Sequence, residues 1–282
     1  MKKVMTDRQI RVKALVRSII SYLEKHRVEM SGVEMTLRKL EKIDLSDDKL
    51  VDVKPKGTRH DKVLNQAIYE IKAQQLNEIA NCLYSAKNDL VWLEDNSQYY
   101  HPGANLGPGY KNCNLHTLLI GPNSCGYQSD DFLLGVFMLG PRTLYRDHKH
   151  DAPELYLNLS DKSGWRFELG EWKDYPAGSL VWNEPGERHA ARVYEQPFIS
   201  IFAWLENINS PCQVLHFDEC HKKQVIGMIT FSGNQIRFPQ NSEGDLINFD
   251  DDEYENPTYN EDSFHTDVKF ENQNPHFLLM YT

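Results

Sequence analysis

Leu144-Tyr145-Arg146-Asp147-His148-Lys149-His150-Asp151-Ala152-Pro153-Glu154-Leu155-Tyr156 is the stretch on which the fold turns. His148 and His150 stand two residues apart, so on an extended strand both imidazoles leave the same face. Asp151-Ala152-Pro153 then carries turn chemistry, and Glu154 and Tyr156 again share a face of the strand that follows. The spacing predicts a hairpin that sets the imidazoles against the carboxylate. A further histidine, His189, arrives after the apolar Ser179-Leu180-Val181-Trp182 and the turn-rich Glu184-Pro185-Gly186-Glu187-Arg188. His148, His150, Glu154 and His189 together make a mixed nitrogen and oxygen donor set. Such a set suits one divalent transition metal ion (iron, manganese, zinc, nickel or cobalt) and leaves positions for water or substrate.

The flanking sequence has the texture of an antiparallel barrel. From about Trp92 onward, the runs LHTLLIG, FLLGVFMLG, ELYLNL, SLVW and FISIFAW are separated by Gly, Pro, Asn and Asp clusters. The first ninety residues differ: Val12, Leu15, Val16, Ile19 and Leu23, and then Leu64, Ile68, Ile71, Ile79 and Leu83, recur at helical spacing. The expected division is a helical region at 1–92, a barrel at 93–240 and a C-terminal segment at 241–282. Past Cys212, QVLHF, QVIGMITF and NQIRF read as further strands. Residues 245–262 are rich in Asp and Glu and read as a solvated loop or a lid.

Composition narrows the function classes. A net charge of −10 argues against a nucleic-acid partner, which requires a concentrated basic face, and favours a small molecule. No apolar stretch approaches the roughly 18 residues of a membrane span. The opening MKKVMTDRQIRVK has neither the apolar core nor the cleavage site of a secretory signal, and five widely spaced cysteines form no disulfide framework. The expected location is the cytoplasm. A homodimer that covers an exposed strand edge is compatible with a barrel of this kind.

H-x-H-x3-E at His148, His150 and Glu154, followed by P-G-x-x-H ending at His189, resembles the two signature motifs of the cupin superfamily. Gly178 and Gly186 keep the spacing of the second motif, while Glu184 stands where that pattern usually has proline. The resemblance implies a mainly β fold, a cupin (double-stranded β-helix, jelly-roll) barrel, here with a helical N-terminal region. It also implies that the four donors hold one metal ion.

The flanking tyrosines narrow the resemblance. Y-x-x-H-x-H-x3-E-x-Y, with a histidine about forty residues later, is similar to the cupin-type dimethylsulfoniopropionate lyases. That family cleaves a sulfonium zwitterion to dimethyl sulfide and acrylate. The similarity implies that Tyr156 is the catalytic base and that Tyr145 lines the substrate pocket. The close motif match runs from Gly140 to Trp204, and the helical N-terminal portion is also similar to that of longer members of the family. Among the tryptophans of the barrel segment, Trp182 is nominated to hold a dimethylsulfonium group through its ring face. Arg142, Arg146, Arg188 and Arg192 are assigned to surface ion pairs. The ligand set alone also suits a dioxygenase, an isomerase or a cupin that binds a small carboxylate without turnover, because a fold does not fix a function.

Overall fold

The computed structural model describes residues 5–215, together with the backbone of Thr230–Ser232 and Gln235–Arg237. Four helices open the chain: α1 (Asp7–Lys25), α2 (Ser31–Leu40), α3 (Asp61–Tyr69) and α4 (Asn77–Ala86). A capping box starts α1, with the Thr6 side chain on the Gln9 backbone and the Gln9 side chain returned to Thr6. The second predicted helical stretch is broken between α3 and α4. Gln74 and Gln75 fall where its apolar stripe would continue and are exposed. Leu76, Ile79 and Leu83 restart the stripe out of phase, so the chain re-aims in order to bury them.

A short helix, α5 (Pro108–Asn112), leads into nine strands: β1 (Asn114–Ile120), β2 (Leu133–Leu139), β3 (Leu144–Lys149), β4 (Glu154–Asn158), β5 (Lys162–Phe167), β6 (Lys173–Pro176), β7 (Leu180–Asn183), β8 (His189–Arg192) and β9 (Phe198–Trp204). With β10 (Gln213–Val214) they form two five-stranded antiparallel sheets, ordered β1-β2-β9-β4-β7 and β10-β3-β8-β5-β6. This is the cupin barrel. The expected hairpin between the two halves of the decisive stretch does not form: β3 pairs with β8 and β10, whereas β4 pairs with β7 and β9. Asp151-Ala152-Pro153 is thus a corner between sheets, and the donors before and after it face each other across the interior.

The first sheet is buried on both faces. Leu155 and Leu157 of β4 and Ile199 and Ile201 of β9 join the helices in one apolar cluster, while Tyr156, Val181 and Phe198 belong to a second cluster inside the barrel. Period-two alternation accounts for this division. Each aliphatic side chain so buried contributes about 1.5–3 kcal/mol before entropy is counted. The strands β5 and β6 had no apolar run to announce them, because KSGWRF and KDYP are largely polar and β6 is an edge strand. Of the C-terminal strand expectations, Gln213–Val214 pairs with β3, and Thr230–Ser232 pairs with Gln235–Arg237 as a separate two-stranded hairpin. The acidic segment at 245–262 lies outside the described residues.

Helix α2 docks on the barrel at Gly32. A Cβ there would stand 2.2 Å from Trp182 Cε3, so glycine is what lets the helix backbone lie flat on the indole. Gly32→Ala should therefore lower stability by about 1–3 kcal/mol through overpacking, measured by urea unfolding, with metal uptake unchanged.

Candidate metal centre and cavity

The register of β3 on β8 sets His148 directly opposite His189, with ring centroids 4.2 Å apart. His150 follows just beyond the end of β3, its ring 5.0 Å from that of His189. The turn that delivers His189 is tied to this point, since the N–H of Gly186 donates to the His150 carbonyl at 2.8 Å. Gly186 has φ +76°, a conformation that glycine adopts without steric cost.

Each ring is locked in the same tautomer. The Nδ1–H of His148 donates to the Arg146 carbonyl at 2.8 Å, that of His150 to Ala152 at 2.9 Å, and that of His189 to Glu187 at 2.9 Å. A ring that donates from Nδ1 keeps its lone pair on Nε2. The donor atoms of the three histidines lie within 4.8 Å of one another, all buried.

Glu154 is 2% exposed and comes from the opposite sheet. Its Oε1 accepts Trp204 Nε1–H at 2.6 Å, and its Oε2 accepts Asn183 Nδ2–H at 2.8 Å. Oε2 also lies 3.1 Å from His150 Nε2 and 3.7 Å from His189 Nε2. Burial pushes the Glu154 carboxyl upward, yet its pKa lies below the usual carboxylate range, and the hydrogen bond from Trp204 Nε1–H favours the ionised form.

The arrangement fits a metal ion. His189 Nε2 is buried without a hydrogen-bond partner among the described residues. The Nε2 of His150 faces a carboxylate lone pair with its own. A cation between them would satisfy all these acceptors at once.

Tyr145 packs against His148 at a tilt of 31°, with centroids 4.2 Å apart. The Tyr156 ring lies inside the barrel against Trp165 at 5.0 Å, with Glu154 as hydrogen-bond partner, and burial together with that carboxylate raises its pKa well above the ordinary value. Both tyrosines line a cavity of ≈ 100 Å³ together with Glu154, Phe137, Phe202 and Trp204. Trp182 is elsewhere. It pairs with Leu155, so alternation sends it to the helix side, where it packs against the helical core. The tryptophan at the site is Trp204, paired with Glu154 across the sheet.

Sequence reasoning also missed Asn183 and Asp147. Asn183 follows Trp182 and so faces inward; the alternation of SLVWN could have found it. Asp147 is buried between Arg188 Nε at 2.7 Å and Arg166 Nη2 at 2.6 Å. Arg188 is therefore in an ion pair as expected, but a buried one. The bridge ties β3 to β5 and to the residue preceding His189, and removing one partner of such a bridge costs about 3–5 kcal/mol.

Burial holds His148 down to about 3, and His116, which contacts Tyr99 Oη at 3.0 Å, down to about 4. In the unfolded chain both take up a proton near 6.5. The unfolded state thus binds more protons between those values, and stability falls as pH drops. Urea unfolding of the metal-free protein from pH 7 to pH 4 should show a steady loss of stability beginning near 6.5; a flat profile would contradict the buried neutral histidines.

A family model described as dimethylsulfoniopropionate (DMSP) lyase matches residues 33–200. The chain is 26% identical over 104 residues to the dimethylsulfoniopropionate lyase DddQ of Ruegeria pomeroyi, a match covering 37% of this chain and 51% of that relative. The chain thus spans about half the length of the curated relative it matches. In fold it is similar to the crystal structure of DddQ from Ruegeria pomeroyi, with TM-score 0.53 at 20% identity, covering 73% of this chain and 98% of that one. It is similar also to a chain from the crystal structures of the DMSP lyases RdDddP and RnDddQII, with TM-score 0.55 at 15% identity, covering 74% and 100%. The family match runs from within α2 to within β9, well over half of the sequence and across the whole constellation of His148, His150, Glu154 and His189, and the protein belongs to the DMSP lyase family.

Proposed function

We propose that the chain is a metal-dependent carbon–sulfur lyase that cleaves dimethylsulfoniopropionate to dimethyl sulfide and acrylate. The observation that carries this reading is the convergence of three tautomer-locked imidazoles and one carboxylate beside an aromatic cavity. His148, His150, Glu154 and His189 would hold one divalent transition metal ion; the donor set suits iron, manganese, zinc, nickel or cobalt. When bound, the ion supplies a Lewis acid that draws charge from the substrate carboxylate and offsets the burial that otherwise keeps Tyr156 protonated.

Tyr156 takes the proton from the carbon next to the carboxylate. The C–H electron pair becomes the new carbon–carbon double bond, and the C–S bond breaks with its electrons passing to sulfur, which leaves as neutral dimethyl sulfide. Tyr145, packed against His148, lines the place where the substrate sits. Glu154 is kept an acceptor by Trp204 and Asn183, and the enclosed aromatic walls exclude water that would compete for the proton. Among the described residues no helix is long and apolar enough to cross a membrane, and Cys82, Cys113, Cys125 and Cys212 are free thiols. A cytoplasmic location and a homodimer paired through a strand edge complete the proposal.

Metal-loaded protein incubated with dimethylsulfoniopropionate should release dimethyl sulfide into the headspace above a metal-only control, and no release would reject the reading. Tyr156→Phe should keep the metal and lose about 10²–10⁴-fold in turnover, the range of general-base contributions. His150→Ala should lose the metal itself by elemental analysis. Normal turnover in Tyr156→Phe would remove the base from this residue.

A further inference from the structure

Asp95 lies between Trp92 and β1, 4% exposed, and takes no part in the chemistry above. Its Oδ2 accepts the Tyr110 hydroxyl at 2.9 Å and its Oδ1 the Gln98 backbone N–H at 3.1 Å. Burial leaves its pKa raised, and the N–H groups of Ser97 and Tyr99, which also bond to it, oppose that rise. Donors gathered on one side chain in this way favour the carboxylate form.

A carboxylate accepts and does not donate. Tyr110 therefore gives its single hydroxyl proton to Asp95, and its oxygen is left to accept from Tyr100, 3.4 Å away. The 2.6 Å contact between Tyr100 and Tyr145 can take its proton from either side; when Tyr100 donates to Tyr110, Tyr145 is the donor to Tyr100. With these three links made, every proton in the chain points toward Asp95. Tyr145 then shows the cavity oxygen lone pairs and no proton. The three tyrosines are all buried, so bulk water does not compete for these bonds, and hydrogen bonds in such a chain polarise one another. Asp95 and all three tyrosines line the same cavity as Glu154 and Tyr156.

We propose that Asp95 is a positioning residue for substrate specificity: it fixes the direction of the Tyr110–Tyr100–Tyr145 chain, so that the cavity wall accepts only and selects an onium group over a neutral group of the same shape. The inference rests on the lyase reading for its substrate, an onium carboxylate. Tyr145 is thereby an acceptor surface for positive charge and not a proton donor to the substrate.

The probe is 4-methylpentanoate, which matches dimethylsulfoniopropionate in shape with a neutral C–H in place of the sulfonium. On the metal-loaded protein, the KM for dimethylsulfoniopropionate is compared with the inhibition constant of 4-methylpentanoate. Asp95→Asn allows an amide to donate to Tyr110 and reverse the chain. Tyr110→Phe deletes one link and keeps the ring stacked on Tyr145, with centroids 5.1 Å apart. Both variants should lower the preference for the cation by about tenfold, a change of about 1.4 kcal/mol, through a raised KM more than a lowered kcat, with the inhibition constant unchanged. Equal weakening of both ligands would reveal a packing role and overturn the inference, as would an unchanged preference in both variants. A wild-type protein that neither cleaves dimethylsulfoniopropionate nor binds it by calorimetry would overturn the lyase reading and this inference with it. Wild-type cleavage with preference retained in both variants would sink this inference alone.

Discussion

Three histidine rings, each with its Nδ1–H fixed on a backbone carbonyl, point their remaining lone pairs into the same buried space as a carboxylate. Imidazole lone pairs turned toward a carboxylate with no donor between them are unfavourable in a low-dielectric interior, so this arrangement must be held in place by the surrounding structure. The opposition of His148 and His189 across β3 and β8, the Gly186 latch on the His150 carbonyl and the buried Arg166–Asp147–Arg188 bridge all constrain it. The backbone carbonyls also decide which nitrogen is presented, which makes the site ready for a cation before any arrives.

The carboxylate reaches this space from the other sheet. Glu154 is fixed by Trp204 and Asn183, its neighbours on the two flanking strands, so the first sheet presents one charged group, already oriented, to the histidines of the second. That sheet can be rigid because both its faces are packed, one by the helices and one by the aromatic interior. The helical region therefore acts on the site at a distance by fixing the strands that carry Glu154 and Tyr156. The cavity beside them is narrow and aromatic, a shape suited to a small substrate and unsuited to a polymer.

The convergence of these four side chains was legible because metal ligation constrains residue type, spacing and turn chemistry at once. His148, His150, Glu154 and His189 met all three criteria within one short segment, and the apolar runs around them announced five strands of the barrel. Legibility failed where side chains act through neighbours distant in sequence. The same period-two rule that placed the ligands would have turned Trp182 outward and Asn183 inward, yet an exposed face and a helix-covered face look alike in one sequence. Trp204 belongs to the site because β9 pairs with β4, a register that no local pattern encodes. Asp95, Tyr100 and Tyr110 were missed because the stretch from Trp92 to β1 carries no period-two alternation, whereas Tyr145 was found from its place beside the ligand motif. The hairpin was misjudged because a turn between two strands does not say whether they pair or part into separate sheets. The resemblance took in the helical N-terminal portion as well as Gly140–Trp204, and the family match, which begins at residue 33 in the helical region, agrees with it.

The account rests on one cation bound by three imidazoles and a carboxylate, and X-ray absorption at the metal edge of the loaded protein addresses that claim most directly. The account predicts a shell of nitrogen and oxygen donors at about 2.0–2.2 Å, with the multiple scattering of three imidazole rings and none of it from sulfur. A shell with one imidazole or fewer, or with thiolate sulfur, would contradict it.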